Sequence, residues 1–155
     1  MLTSLAFGAD PDVKHVSFGF IPFFAITHDR VSPAREYTIS SAGFWMQSIS
    51  SEWLLTRRPR LSDEHAPLAK GVLAFDILAS VAYGFAGIAH LGPAERDTRS
   101  MAASLDVNEA WVGAIVVTPA VFDTWRYLRP DARWPRWASR AAKVGMVLLV
   151  VRAAR

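Results

Sequence analysis

The chain has 155 residues, 20% of them charged and 52% apolar or aromatic, with a formal charge of +3 and an isoelectric point near 9.7. The length suits one domain, residues 1–155. The absence of cysteine excludes disulfides, thiolate metal ligands and cysteine nucleophiles. The basic balance does not point to nucleic acid, because the arginines flank apolar stretches and form no stripe with aromatics.

A mean hydropathy of +0.19 does not by itself demand a membrane. The distribution does more, since the charges gather in a few blocks and leave long stretches nearly free of them. The start, Met1 to Asp10, lacks the basic and apolar run of a removed signal peptide. Val16 to Ile26 is aromatic but shorter than the roughly 20 residues of a span. Interrupted by Gly19 and Pro22, it reads as an interfacial or re-entrant segment, or as a strand-like stretch lying on the helices.

Four helices follow, at about 33–56, 67–90, 109–128 and 138–154. The first opens on Ser32 and Pro33 with Glu36 in its first turn. One of its sides carries Glu36, Ser40, Gly43, Gln47, Ser50 and Ser51; the other carries Ile39, Ala42, Met46, Ile49 and Trp53. The block Arg57-Arg58-Pro59-Arg60 ends it. The second helix is the clearest span, with one aspartate near its centre, and Gly92-Pro93 closes it. A polar loop, 94–107, leads to the third, which Asp106 or Asn108 can cap and which Pro119 should kink. The fourth is short, and its clean apolar run, Val144 to Val151, is shorter still.

The predicted fold is therefore all-α, a polytopic transmembrane bundle of about four helices. Basic residues set its orientation. The first connector holds Arg57, Arg58, Arg60 and Lys70, and the third holds Arg126, Arg129, Arg133, Arg136 and Arg140, whereas Arg96 and Arg99 of the second are accompanied by acids. The first and third connectors should face the cytoplasm, with both termini outside, in an inner or plasma membrane. Trp111, Trp125, Trp134 and Trp137 fall near span ends, where an aromatic belt belongs.

Asp76 stands out because it lies roughly 13–15 Å into the second span, where a lone carboxylate is expensive. Ser80, Tyr83 and Gly87 share its face. Depth groups Asp76 with Glu52, Asp123 and His65 on the inner side, a set suited to acid–base work or a divalent metal, though no spacing matches a ligand motif. Three of them also have a plain reading: Asp76 as a buried interhelical hydrogen-bonding group, Asp123 in a surface pair with Arg126, His65 in solvent. On the outer side His28, Arg30 and Glu36 can line a ligand or headgroup pocket, or simply form a charged loop at a helix start. His28 and His90 can alternatively ligate a haem or pigment from two helices, although both sit at span edges. The serines of the first helix lack a nucleophile elbow and read as packing residues.

Two functions fit. One is a non-catalytic membrane subunit or accessory protein docking onto other transmembrane helices, of partner proteins or of itself. The other is a small intramembrane enzyme or transporter-like protein acting on a lipid or hydrophobic substrate. The second requires Asp76 and Glu52 to converge in one cavity. A soluble all-α bundle is the third possibility.

Overall fold

The computed structural model of the protein describes residues 12–18, 21–27, 31–92 and 96–154. Asp12–Phe18 (β1) and Ile21–Thr27 (β2) pair antiparallel, with Asp12 opposite Thr27 and Phe18 opposite Ile21. The aromatic stretch expected as one interfacial segment is thus divided between two strands. Its Val, Ile and Phe content favours extended backbone, and a two-stranded sheet has only edges, where Pro22 is tolerated.

The rest is helical. Pro33–Arg57 forms α1, Pro67–Ile88 α2, Asp97–Leu105 α3, Glu109–Leu128 α4 and Trp134–Ala153 α5, with one 3-10 turn at Leu61–Asp63. Proline occupies the first turn of α1, α2 and α5, where its fixed φ suits a helix and its missing donor costs nothing. Ser32 sits at the N-cap of α1 through its backbone, but its hydroxyl does not cap the helix. Asn108 does cap α4, its Oδ1 accepting from the Ala110 N–H at 2.8 Å.

Two boundaries differ from expectation. The polar loop at 94–107 contains α3, whose Thr98, Met101, Ala102 and Leu105 turn inward at helical spacing. Asp106, at φ 53°, ends it in the left-handed conformation. The last helix begins at Trp134 rather than 138, because Pro135 initiates a helix inside what reads as a basic connector.

Among the described helices α2 alone is long and apolar enough to cross a membrane, with 22 residues and a mean hydropathy of 1.7 over its most apolar window. At 1.5 Å per residue it measures about 33 Å. Helices α3 and α4 meet the same measure only as a pair, bent by 116° at their junction. The four expected crossings thus become a helical bundle containing one clear candidate span.

Helices α2 and α4 pack most extensively, and two glycines explain how. A Cβ on Gly84 would lie 2.7 Å from the Gly113 carbonyl oxygen, and one on Gly113 would lie 2.8 Å from the Ile88 nitrogen. The two backbones touch where side chains are missing, as close helix crossings require. The buried face of α2 runs through Leu73, Asp76, Ser80, Gly84 and Gly87. Tyr83, expected there, is 44% exposed and meets the Phe44 ring edge-on at 5.8 Å.

The interior has three layers. Tyr37, Phe44, Met101, Leu105, Val112, Val116 and Met146 form an apolar layer, tied across by the Tyr37 hydroxyl donating to the Met146 carbonyl at 2.8 Å. Leu54, Leu55, Leu61 and Leu73 form a smaller one at the opposite end. Between them lies a polar layer.

Candidate functional site

The polar layer is assembled by helix periodicity. Ser51 and Glu52 come from α1, Asp76 and Ser80 from α2, Asp123 and Arg126 from α4, and Ser139, Arg140 and Lys143 from α5. Asp123 is its centre and is only 2% exposed. Its Oδ1 accepts from the Ser139 hydroxyl at 2.6 Å and from Arg126 Nη1 at 3.1 Å. Its Oδ2 accepts from the Ser51 hydroxyl at 2.7 Å and lies 2.7 Å from Lys143 Nζ. Both oxygens are fully engaged.

Glu52 is the second anion. Its Oε1 accepts from Arg140 Nε at 2.8 Å, Thr56 Oγ1 at 2.9 Å and Arg126 Nη2 at 3.2 Å. Its Oε2 accepts from Arg126 Nη1 and, at 3.1 Å, from Lys143 Nζ. Arg126 and Lys143 therefore each bridge both carboxylates, joining α1, α4 and α5 in one network. The network holds Arg126, Arg140 and Lys143 against Glu52 and Asp123, three positive charges against two negative, so it carries one excess positive charge. Buried charges at this depth persist only when paired and hydrogen-bonded in this way.

Asp76 belongs to the same layer but not to the network. It is buried, and its Oδ2 has no hydrogen-bond partner. It borders a cavity of about 10 Å³, also lined by Gln47, Ser48, Ser51, Ser80 and Asp123. That space is about one water molecule in size. Across it Ser80 donates to Gln47 Oε1 at 2.9 Å.

A larger groove, about 900 Å³, opens on the other side of α1 and runs between α1 and α5. Trp45, Ile49, Trp53, Val144, Val147 and Leu148 line its length, and Glu52, Thr56, Arg57, Arg140 and Lys143 its end.

The residues singled out from sequence are distributed as follows. Glu52 and Asp123 are brought together through shared cations. Asp76 borders the small cavity and Glu52 the groove, so these two do not share a cavity. His65 is exposed in the loop before α2 and takes no part in the network. Asp123 and Arg126, expected as a surface pair, are instead 2% and 5% exposed, because the turn of α4 that carries them faces α1 and α5. Among the described residues no three histidine or acidic side chains gather as a metal site.

At the other end of the bundle Glu109 is held by Arg96 through Nε and Nη2, by the Thr98 hydroxyl at 2.7 Å, and by His90 Nδ1 at 3.5 Å. His90, expected as a haem or pigment ligand, is engaged in that pair. Glu36 accepts from the Ser40 hydroxyl at 3.4 Å in the first turns of α1. His28 and Arg30 lie outside the described residues.

Lys143 and Ser139 were missed by sequence reasoning, although a signal exists. Pro135, Ser139, Lys143 and Met146 recur at helical spacing, and this is the face α5 buries. Seen as the approach to a short apolar run, Lys143 looks like a flanking charge. No known protein family, characterised protein or solved structure shows significant similarity to the chain. What defines the molecule is therefore its own architecture, a helical bundle with a charge network packed inside it toward the end where the basic connectors lie.

Proposed function

We propose that the chain is an integral membrane protein of accessory type, whose charge network locks its helices and whose outer surface docks other transmembrane helices. The observation that carries this reading is inverted polarity. Ser41, Ser51, Asp76, Asp123, Arg126, Ser139 and Lys143 are buried, while Phe75, Leu78, Phe85, Val144, Leu148 and Val151 are exposed. A soluble protein rarely leaves a large contiguous apolar surface open, and its core helix is mostly covered. Here only 22% of the apolar window of α2 is buried.

We keep the orientation read from the basic connectors as part of this proposal. Arg60 pairs with Asp131 at 3.2 Å, so the two basic connectors meet at one end of the bundle. Trp53, Trp125, Trp134 and Trp137 are exposed near that end, as in an interfacial belt. With that end cytoplasmic, His90 and Arg99 lie toward the other side.

A non-catalytic role agrees with the state of the carboxylates. Glu52 and Asp123 are occupied by fixed cations and hydroxyls, which makes them structural anions rather than bases. Exposed Gly43, Gly71 and Gly145 have nothing within 4 Å of where a Cβ would stand, and a partner helix can approach closely there.

Two measurements test the reading. The chain should stay with membranes through alkaline carbonate washing, and single cysteines at Ser62 and Arg99 should label from opposite sides of sealed vesicles. Mild detergent should then release it with a stoichiometric partner or as a self-complex. Extraction by carbonate contradicts the membrane assignment; a strictly monomeric, partnerless particle contradicts the accessory role.

A further inference from the structure

The groove between α1 and α5 has a length, a polarity and a charge that together describe one kind of occupant. From Trp45 to Arg57 is twelve helical steps along α1, about 18 Å at the helical rise. The hydrocarbon core is about 30 Å thick, so the groove is about as long as one leaflet is deep. A transmembrane helix docking there would need a track twice that length.

Its deep part is apolar, walled by Trp45, Ile49, Val147 and Leu148. Its mouth lies at the end of the bundle where the basic connectors gather, and there it is cationic. The network behind the mouth carries one excess positive charge, and Arg57 adds another. Arg57 is exposed and makes no ion pair among the described residues, whereas neighbouring Arg58 and Arg60 are paired with Glu64 and Asp131. Arg140, at the groove wall, keeps its guanidinium 5.6 Å from the Trp137 ring while bonded to Glu52 and Thr56.

We infer that this groove is a site for an anionic phospholipid of the leaflet on the basic side, its phosphate at Arg57 and Arg140 and one acyl chain along Trp53, Ile49 and Val147. Basic pockets between transmembrane helices recognise anionic headgroups in this manner. The inference rests on the membrane reading above, and the test separates the two.

The full chain is reconstituted in phosphatidylcholine vesicles carrying equal small amounts of acyl-brominated phosphatidylglycerol or acyl-brominated phosphatidylcholine, and tryptophan quenching is measured. The contribution of Trp53 is isolated by difference against Trp53→Phe. Brominated phosphatidylglycerol is expected to quench Trp53 with a preference of roughly tenfold over brominated phosphatidylcholine. Arg57→Ala, which touches neither the network nor the core, is expected to cut that preference about fivefold. Equal quenching by both lipids overturns the proposal, as does a preference that Arg57→Ala leaves unchanged. Trp53 shielded from both lipids while the other tryptophans are quenched means that protein fills the groove, and also overturns it. Failure of every tryptophan to respond to either lipid refutes the membrane reading instead.

Discussion

Leucine at Gly113 is expected to separate α2 from α4 and to destabilise the bundle by about 3 kcal/mol or more, at the upper end of overpacking. Even a Cβ there would approach the Ile88 nitrogen at 2.8 Å, and a backbone atom cannot swing aside as a side-chain tip can. Leucine at Gly84 should do the same, since its Cβ would press on the Gly113 carbonyl oxygen. Gly71→Ala and Gly43→Ala supply the contrast, because nothing lies within 4 Å of either position. Those two should be neutral or stabilising by about 0.5–1 kcal/mol, through relief of the glycine's helical entropy cost. Unfolding of the purified chain in mixed micelles, titrated with a denaturing detergent, measures all four. The reverse order of effects would show that the α2–α4 crossing does not bear on stability.

Removing Asp123 is expected to be more damaging than removing any other charge. Asp123→Ala leaves Lys143 and Arg126 buried with only Glu52 as counter-ion and takes the carboxylate acceptor from the Ser139 hydroxyl, while Ser51 keeps the Ser48 carbonyl. Breaking a buried pair from one side typically costs about 3–5 kcal/mol. Lys143→Met should cost less, because Asp123 keeps Arg126 and both serines. The double variant Asp123→Ala with Lys143→Met should be less destabilised than the sum of the singles by about 0.5–3 kcal/mol, the coupling expected of contacting groups. Strict additivity in the same micelle titration would mean that the two charges do not interact in the folded chain.

Much of the helical content was legible because proline and arginine punctuate this sequence so firmly. Pro33, Pro67 and the basic blocks delimit α1 and α2 nearly to the residue. The division of α1 into a small polar side and a bulky apolar side held in part: Ser40 and Ser51 are buried and Met46, Ile49 and Trp53 exposed, but Gly43 of the polar side is exposed and Tyr37 and Phe44 share the buried face. Helix α3 was not legible, because nine residues rich in Asp, Thr, Arg and Ser read as loop until Met101 and Leu105 are seen to need a neighbour. The hairpin was half legible: extended backbone was one reading of Val16 to Ile26, but the polar start of β1, Asp12 to His15, lies outside that run and hid the pairing.

The candidate site was half legible. Depth alone grouped Glu52, Asp76 and Asp123. It did not reveal that Lys143 and Arg126 would separate them into a saturated network and a carboxyl bonded to Ser50 with one oxygen unpartnered beside a water-sized cavity. Such partnering depends on the rotation of each helix about its axis. One residue of error there, about 100°, moves Asp123 from core to surface.

The central proposal is that the outer surface of this bundle faces lipid while its polar layer is sealed inside. Because the chain has no cysteine, single cysteines can be placed cleanly at Phe75, Leu78 and Val147 outside and at Ser80 and Ser139 inside. Nitroxide labels on the reconstituted protein then report collision with apolar oxygen against a water-soluble nickel chelate. The outer three should be open to oxygen and closed to nickel, with both interior sites sheltered from each. Outer sites open to the nickel chelate would place that surface in water and contradict the account.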